Sequence, residues 1–236
     1  MKHVVLLLFL APLLAQSTQQ VELTDEPDHH LVLSNDQVRV FSVEVPPHAD
    51  TLIHWHHHDY IYVTLGDTTV SNEVVGKPPV QVTLHDGQTA FSPGPFAHRA
   101  RNLTDKPFRN VTIELLQDDK LRTLKSPWDS DRGLDILHGG TAEILWVKDA
   151  VRATEFELQP EAVVPGGSHA HPMLLVAIND LDLYTTDPRT HGPPGPDVPP
   201  ARQFKSGDSI WLPLGFRQPI VNAGRHKATV VTLECP

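Results

Sequence analysis

An internal repeat constrains the fold of this chain more than any other sequence feature. The segment GQTAFSPGPFAHRARN begins at Gly87, and a similar segment, GDSIWLPLGFRQPIVN, begins 120 residues later at Gly207. The tetrapeptides VTIE, from Val111, and VTLE, from Val231, are also 120 residues apart. Two pairs with one spacing predict that the chain contains two copies of a single structural unit.

Two further pairs precede these in the same order. VRVFSVEVPP begins at Val38 and VRATEFELQP at Val151, while HWH at 54–56 is followed 115 residues later by HAH at 169–171. Four pairs in one order indicate a tandem duplication. The second copy gains residues in or near 185–200, a run so rich in Pro and Gly that we expect a long loop there, able to overhang the mouth of a cavity.

The repeated unit has the pattern of an all-β fold. Short β-branched runs such as VRVFSVEV, YIYVTL and VTIELL recur between turn residues, and the chain contains 22 prolines. The alternation lapses around 126–140. We therefore expect a first domain at 20–120, a linker at 121–142 with a short helix after Ser130, and a second domain at 143–236.

The N-terminus resembles a secretory signal peptide. A short basic start is followed by an apolar run from Val4 to Leu14 and by small residues at Ala15 and Ser17, after either of which we expect cleavage. We therefore predict that residues 1–17 are removed and that the mature protein is exported, periplasmic or extracellular, with no membrane segment. The one cysteine, Cys235, leaves no internal disulfide.

The charge of the chain bears on its partners. The formal net charge is −10, and the sequence contains no basic run. Nucleic-acid binding needs clustered Lys and Arg, so we expect no nucleic-acid partner. A small-molecule ligand or substrate fits better, and a homodimer is one assembly compatible with the chain.

A histidine cluster marks the candidate site. The stretch LIHWHHHDYIYVTLGD places His54, His56, His57 and His58 directly before a predicted strand. Since side chains alternate along a strand, His54, His56 and His58 share one face and His57 takes the other. Two imidazoles two residues apart can bind one metal ion, and a further ligand must come from another strand. The pair could be His54 with His56 or, in another register, His56 with His58.

The two Gly-led segments resemble the second motif of the cupin superfamily, which reads Gly, five residues, Pro-x-Gly, two residues, His, three residues, Asn. The first copy matches at Gly87, Pro93, His98 and Asn102, with Pro95 in place of Gly. The second copy follows the same spacing, with Gln218 in place of His, and its matched positions are Gly207, Pro213, Gly215 and Asn222. The resemblance covers about 30–117 and 145–235.

The first cupin motif, His-x-His followed by Glu and Gly, resembles the chain around His54 and His56. Counting back from Gly66 puts Asp59 at the acidic position, whereas counting forward from His56 puts Tyr60 there. The two counts differ by one residue, which in a strand exchanges the two faces of the sheet. Asp59 would reach the interior only if a bulge followed His56.

The resemblance implies a bicupin with one degenerate half, built from two tandem jelly-roll (double-stranded β-helix) barrels. It implies one divalent transition metal (Fe, Mn, Zn, Ni or Cu) in the first barrel, held by His54, His56 and His98, with Asp59, His58 or Tyr60 as the uncertain fourth ligand. Four aromatic residues are candidates to line the pocket: Tyr60, Tyr62, Phe91 and Phe96. The second barrel keeps His169 and His171 but has Gln218 at the third position and Leu175 at the acidic one, so we expect it to be metal-free.

Two functions follow from this interpretation. The first is an exported metal-dependent enzyme with one mononuclear site, most simply a small-molecule dioxygenase, for which three histidines and an open position suffice. The second is a non-catalytic protein that binds a metal or a small ligand, or that uses the barrel structurally. A fold with many activities does not by itself choose between them.

Overall fold

The structure is a computed structural model that describes residues 20–128, 132–166, 171–184 and 201–236. The predicted signal peptide at 1–17, the predicted loop at 185–200 and His169 lie outside the described residues. The prediction of an all-β fold is confirmed, because nearly all of the regular secondary structure in the described chain is strand. None of its helices has the length and hydropathy that crossing a bilayer requires.

The first half of the chain contributes ten strands and one helix. Two five-stranded sheets form here, in the orders β1-β4-β9-β6-β7 and β2-β3-β10-β5-β8. The elements are β1 (Gln20–Glu22), β2 (His29–Ser34), β3 (Val38–Val45), β4 (Ile53–His56), β5 (Tyr60–Leu65), β6 (Thr68–Val74), β7 (Val80–Leu84), β8 (Thr89–Ser92), β9 (Phe96–Asn102), β10 (Phe108–Leu115) and α1 (Asp118–Thr123), with a 3-10 turn at Leu23–Asp25.

The described part of the second half forms one six-stranded sheet, β11-β12-β13-β20-β15-β18, and one four-stranded sheet, β14-β19-β16-β17. The strands are β11 (Gly133–Leu137), β12 (Gly140–Lys148), β13 (Val151–Leu158), β14 (Val163–Val164), β15 (Met173–Ala177), β16 (Leu181–Tyr184), β17 (Arg202–Phe204), β18 (Ser209–Leu212), β19 (Ile220–Asn222) and β20 (Ala228–Glu234).

The segment between the two halves differs from the expected linker. Its helix, α1, lies before Ser130, and the chain after that residue forms strand β11 instead of the short helix we expected. β11 pairs antiparallel with β12 and so extends the six-stranded sheet. Residues in the expected linker therefore contribute to a sheet of the second half.

The central strands of two sheets are buried on both faces, and this explains their nearly continuous apolar sequences. Along β10, Val111 and Ile113 face the second half of the chain, whereas Asn110 and Thr112 face the interior of the first barrel. Along β15, Leu174 and Val176 face the first half, and the alternate residues face the interior of the second barrel. One apolar cluster thus joins the two barrels through sheets β2-β3-β10-β5-β8 and β11-β12-β13-β20-β15-β18.

The duplication is visible in repeated side-chain contacts. In the first barrel the Arg39 guanidinium lies 2.8 Å from a carboxyl oxygen of buried Glu114. In the second barrel Arg152 donates at 2.6 Å to the carboxylate of Glu234, which lies at the matching position of β20. Because the pair connects the same two strands in each half, the two copies share contacts as well as a sequence pattern.

A repeated asparagine provides a second match. The Asn102 amide nitrogen donates to the carbonyl oxygens of Val45 and Lys106 at 3.1 and 2.7 Å. The Asn222 amide nitrogen donates to the equivalent carbonyls of Leu158 and His226, both at 2.8 Å. Each side chain is fully buried and connects its turn to the neighbouring strand.

Candidate metal centre

Strands β4 and β9 bring three histidines together. They pair antiparallel, with His54 opposite His98 and His56 opposite Phe96. Since His54 and His56 are two residues apart on β4, both project to the same face, toward the interior of the first barrel. The pairing of these strands therefore juxtaposes residues that are 42 to 44 positions apart in the chain.

The three imidazoles converge on one point. One ring nitrogen of each of His54, His56 and His98 lies within 4.8 Å of the others. The Nε2 atoms of His56 and His98 are 3.2 Å apart. Two nitrogens bound at about 2.0–2.1 Å to one tetrahedral ion would be separated by a similar distance. The rings are at most 8% exposed, so the point of convergence is well shielded from bulk water.

Hydrogen bonds set which ring nitrogen faces the cluster. His54 donates from Nδ1 to the carbonyl oxygen of Leu52 at 2.9 Å, and His98 donates from Nδ1 to the side-chain oxygen of Asn72 at 2.6 Å. Both Nε2 atoms therefore carry lone pairs, as metal ligands must. The Nε2 atom of His54 is buried without a hydrogen-bond partner. An unpaired buried acceptor of this kind fits a metal ion.

Burial keeps the three rings neutral. Burial, with the neighbouring charge of His29, lowers the pKa of His54 to about 4. Burial and then the other imidazoles of the cluster lower the pKa of His56, and the same causes hold the pKa of His98 well below its ordinary value. Neutral imidazoles at neutral pH are the form that binds a metal ion.

Two of the three candidates for a fourth ligand lie away from the cluster. Asp59 is buried, but its carboxylate accepts hydrogen bonds from Arg122 Nε at 2.9 Å and from the backbone of Gly94 at 2.9 Å. His58 turns to Asp118, with 3.3 Å between ring nitrogen and carboxyl oxygen. The structure thus joins Asp59 to helix α1 and leaves the alternative pairing of His56 with His58 unformed.

Tyr60 is the candidate that faces the interior. Its ring stacks on His56, with centroids 4.0 Å apart and planes at 16°. Burial raises the pKa of Tyr60 to about 12, against the opposing effect of its hydrogen bond with Ser92, so the phenol is neutral at physiological pH. Counting forward from His56 selected Tyr60, and this is the residue that faces the interior. The side chain beside the cluster is therefore an aromatic ring and not a carboxylate.

A cavity opens from the cluster through the first barrel. Its empty volume is about 620 Å³, including the space at its mouth, and His54, His56, His98, Tyr60 and Tyr62 contribute to its wall. The two tyrosines thus lie where the sequence placed them. Tyr62 lines the wall from β5, one alternation beyond Tyr60.

The two phenylalanines lie elsewhere. Phe91 faces the second barrel, where its ring makes an edge contact with Trp146 at 6.4 Å. It pairs with Ile61 across β5 and β8 and therefore shares the outward face of that sheet. Phe96 packs against the rings of His56 and His98, at 5.8 and 5.3 Å, but it is not part of the cavity wall.

Sequence reasoning missed a buried pair beside the cluster. His29 lines the cavity with its ring 4.7 Å from that of His54, and its Nδ1 lies 2.5 Å from the Glu26 carboxyl. Glu26 also accepts the backbone N–H groups of Asp28 and Leu52. The motif DEPDHH precedes β3 outside both cupin motifs, and no spacing rule connects it to His54.

A third missed residue is Glu114, whose carboxyl oxygen lies 3.9 Å from His56 Nδ1. Burial raises the pKa of this carboxyl, against the opposing charge of Arg39. The sequence did contain a signal, because a single acid in the buried run VTIELL is unusual unless it is paired.

The second barrel has a different interior. Among the described residues, His54, His56 and His98 form the one group of three metal-binding side chains, and the second half has none. His171 lies against Trp128, with ring centroids 5.6 Å apart, and Gln218 is exposed. Apolar side chains, Leu175 among them, form the core of the second barrel.

Comparison with known proteins identifies the fold. No family model matches the sequence, and no curated protein is similar to it. Among solved structures, AerE from Microcystis aeruginosa superimposes with a TM-score of 0.55 at 11% identity, over 89% of this chain and 97% of that one. A cupin 2 conserved barrel domain protein from Leptotrichia buccalis gives 0.53 at 9% identity, over 88% of each chain.

Oxalate decarboxylase from Bacillus subtilis is also similar in structure. It gives a TM-score of 0.58 at 10% identity, over 88% of this chain and 75% of that one, and its described centres contain Mn(II). At these identities the likeness concerns the fold alone. The chain has a tandem, all-β, cupin-like fold with a three-histidine cluster in its first barrel.

Proposed function

We propose that this protein binds one divalent transition metal ion through His54, His56 and His98 and acts as a mononuclear metal-dependent enzyme on a small molecule, most simply as a dioxygenase. The main observation in support of this proposal is that one ring nitrogen of each of these three buried histidines lies within 4.8 Å of the others. The unpartnered Nε2 of His54 supports the same conclusion, since a buried acceptor without a donor is costly unless an ion satisfies it.

The residues of the chain prepare this site in defined ways. Leu52 and Asn72 fix the orientation of His54 and His98 by accepting their Nδ1 protons. Tyr60 holds the plane of His56 by stacking on it. With three neutral imidazoles as ligands, a bound ion would retain open positions at which dioxygen, water or a carbonyl oxygen can be activated.

A non-catalytic binding protein is the second candidate function. One observation favours it: Asp59, the acid that the motif count offers, is engaged by Arg122 and does not face the cluster. The metal distinguishes the two functions. Iron, manganese or copper with an open position would favour the enzyme, and zinc saturated by protein ligands would favour binding.

Export and a metal-free second barrel are further parts of the proposal. The apolar run of residues 1–17 supports export. The apolar interior around Leu175 and the exposed Gln218 support a second barrel without metal. N-terminal sequencing of the secreted or periplasmic protein would test export, with a mature start near Gln16 or Thr18 expected.

Elemental analysis of the purified protein tests the metal site. We expect about one transition-metal ion per chain in the natural protein and little in His98→Ala, because two imidazoles rarely retain an ion alone. His57→Ala is the matched control, since His57 lies on the same segment but is exposed and bonds Glu22. His171→Ala is the control in the second barrel.

The expected pattern is loss of metal in His98→Ala with full retention in both controls. Equal metal content in the natural protein and His98→Ala would remove His98 from the site. Loss of metal in His171→Ala would show instead that the second barrel holds the ion.

A further inference from the structure

The wall of the cavity beside the three histidines is mainly apolar. Six aliphatic and aromatic side chains on β3, β6, β7, β9 and β10 contribute to it: Val43, Val70, Val82, Leu84, Ala100 and Phe108. An apolar wall stabilises a ligand roughly in proportion to the apolar area that it removes from water. A ligand with a hydrocarbon body therefore fits this cavity better than one that is polar throughout.

No lysine or arginine lines the cavity in the part of the chain that the structure describes. Arg99 and Arg101 flank His98 in the sequence, but neither side chain lines the cavity. Arg99 donates to Glu73 at 2.8 Å, and Arg101 lies 3.8 Å from Asp50 with half of its side chain exposed. Apart from the imidazoles, a bound metal ion is therefore the source of positive charge in the proposed site.

Acidic groups lie close behind the wall. Glu26 bonds the cavity residue His29, and Glu114 lies 3.9 Å from His56. Both carboxyl groups are almost fully buried, and Glu114 is paired with Arg39. A negatively charged group placed in the cavity away from the metal would meet no lysine or arginine among the described residues, and one placed beside the histidines would also lie near these carboxyl groups; both are unfavourable at low dielectric.

The polar groups of the wall suit an uncharged oxygen. Thr112 donates to the side-chain oxygen of Asn110 at 2.8 Å. The hydrogen bonds between described residues do not use the Asn110 amide nitrogen, so it remains available to a ligand. Tyr62 adds a phenol on the next strand. Amide and phenol groups recognise a hydroxyl, ether or carbonyl oxygen without supplying charge.

We infer that this cavity takes a small molecule with an apolar body and at most one anionic oxygen, which binds at the metal, and that it rejects dicarboxylates. The inference rests on the proposed metal at His54, His56 and His98. It narrows the substrate to compounds such as phenols, enols and apolar monocarboxylic acids. It also sets this site apart from one that acts on a dianion such as oxalate.

Two probes that differ in a single group test the inference. Succinate and 4-methylpentanoate share one carboxylate and two methylenes, but 4-methylpentanoate carries an isopropyl group where succinate has its second carboxylate. Isothermal titration of the metal-loaded protein should give at least ~10-fold tighter binding of 4-methylpentanoate, because the isopropyl group meets the apolar wall. Equal or tighter binding of succinate, or binding of neither probe, would overturn the inference.

A charge added to the wall should reverse the preference. Val82 lies on the cavity wall at the middle of β7, so Val82→Lys places an ammonium group beside the ligand body. We expect this variant to bind succinate at least ~10-fold more tightly than the natural protein does. Thr83→Lys is the matched control, since Thr83 is exposed on the other face of β7 and should leave both affinities unchanged. Circular dichroism verifies that both variants fold.

The metal content of each sample separates this inference from the proposed function. In chelator-treated protein both probes should bind more weakly, while the order of the two affinities should be kept, because the order depends on the wall. Protein that is purified without metal and cannot be loaded with it would refute the proposed metal site, and a preference of that protein for 4-methylpentanoate would still support the wall argument. Metal-loaded protein that prefers succinate would refute the wall argument and leave the proposed metal site standing.

Discussion

The repeated asparagines allow a sharp test of the duplicated architecture. Asn102 is fully buried; it donates to three carbonyl oxygens and accepts the backbone N–H of Thr104 at 3.0 Å. Asn102→Ala leaves these groups without their partner. At about 1 kcal/mol net per buried hydrogen bond, with some groups reached by water, we expect a loss of ~2–4 kcal/mol in the free energy of unfolding.

Asn222→Ala should cost a similar amount. Asn222 donates to two carbonyl oxygens and accepts the backbone N–H of Gly224 at 2.9 Å. Because one apolar cluster joins the barrels, we expect a single unfolding transition that both variants shift. For a chain of this size, 2–4 kcal/mol corresponds to a fall in Tm of roughly 5–15 °C.

Urea titration and differential scanning calorimetry measure these changes. Gln81→Ala is the control, since Gln81 is an exposed amide in strand β7, and its loss should cost less than ~0.5 kcal/mol. If Asn102→Ala or Asn222→Ala were as stable as this control, the buried asparagines would not hold their turns as argued. Two separate transitions, each moved by one variant, would contradict the shared core.

Three further predictions concern protonation, the thiol and the metal. Burial raises the pKa of Glu26, but the hydrogen bond and charge of His29 outweigh this effect, so the pKa in the folded state is below 4.5. Glu26→Gln should therefore lower the free energy of unfolding most at neutral pH and progressively less as the pH falls below 4.5. Urea unfolding from pH 7 to pH 3 measures this change. Burial raises the pKa of Cys235 to about 12, and native protein should react with a thiol reagent at least ~100-fold more slowly than unfolded protein; rapid native labelling would refute its burial. Treatment with a chelator should lower the Tm of the natural protein and of His57→Ala but leave that of His98→Ala unchanged, as followed by calorimetry.

The sequence predicted the fold and the histidine cluster because both depend on spacing. The 120-residue repeat required two similar units, and Gly87 and His98 lie in the segment that carries the better match. His54 and His56 then follow from strand alternation alone, since residues two apart share a face. The meeting of His98 with this pair was implied by the cupin resemblance, and in the structure it depends on the pairing of β4 with β9.

The remaining features of the site depend on long-range contacts. The position of Asp59 could not be predicted, because its carboxylate accepts a hydrogen bond from Arg122 of helix α1, which is distant in the sequence. Phe91 faces the second barrel because β8 pairs with β5 in a sheet buried on both faces. His29 reaches the cavity from a segment outside both motifs, and no local pattern indicates this.

Sheet β2-β3-β10-β5-β8, whose central strands are buried on both faces, limits how the sequences of the two copies can diverge. One face of β10 contributes to the wall around the histidines, while the other is covered by the outer surface of the second barrel. A second copy that had lost its own metal ligands would still be needed for packing. Removing it would expose Val111, Ile113 and the apolar residues around them to water. In such an arrangement, the packing surface of the second copy is constrained by its contact with the first barrel. The residues in the interior of the second copy can then change without exposing that contact.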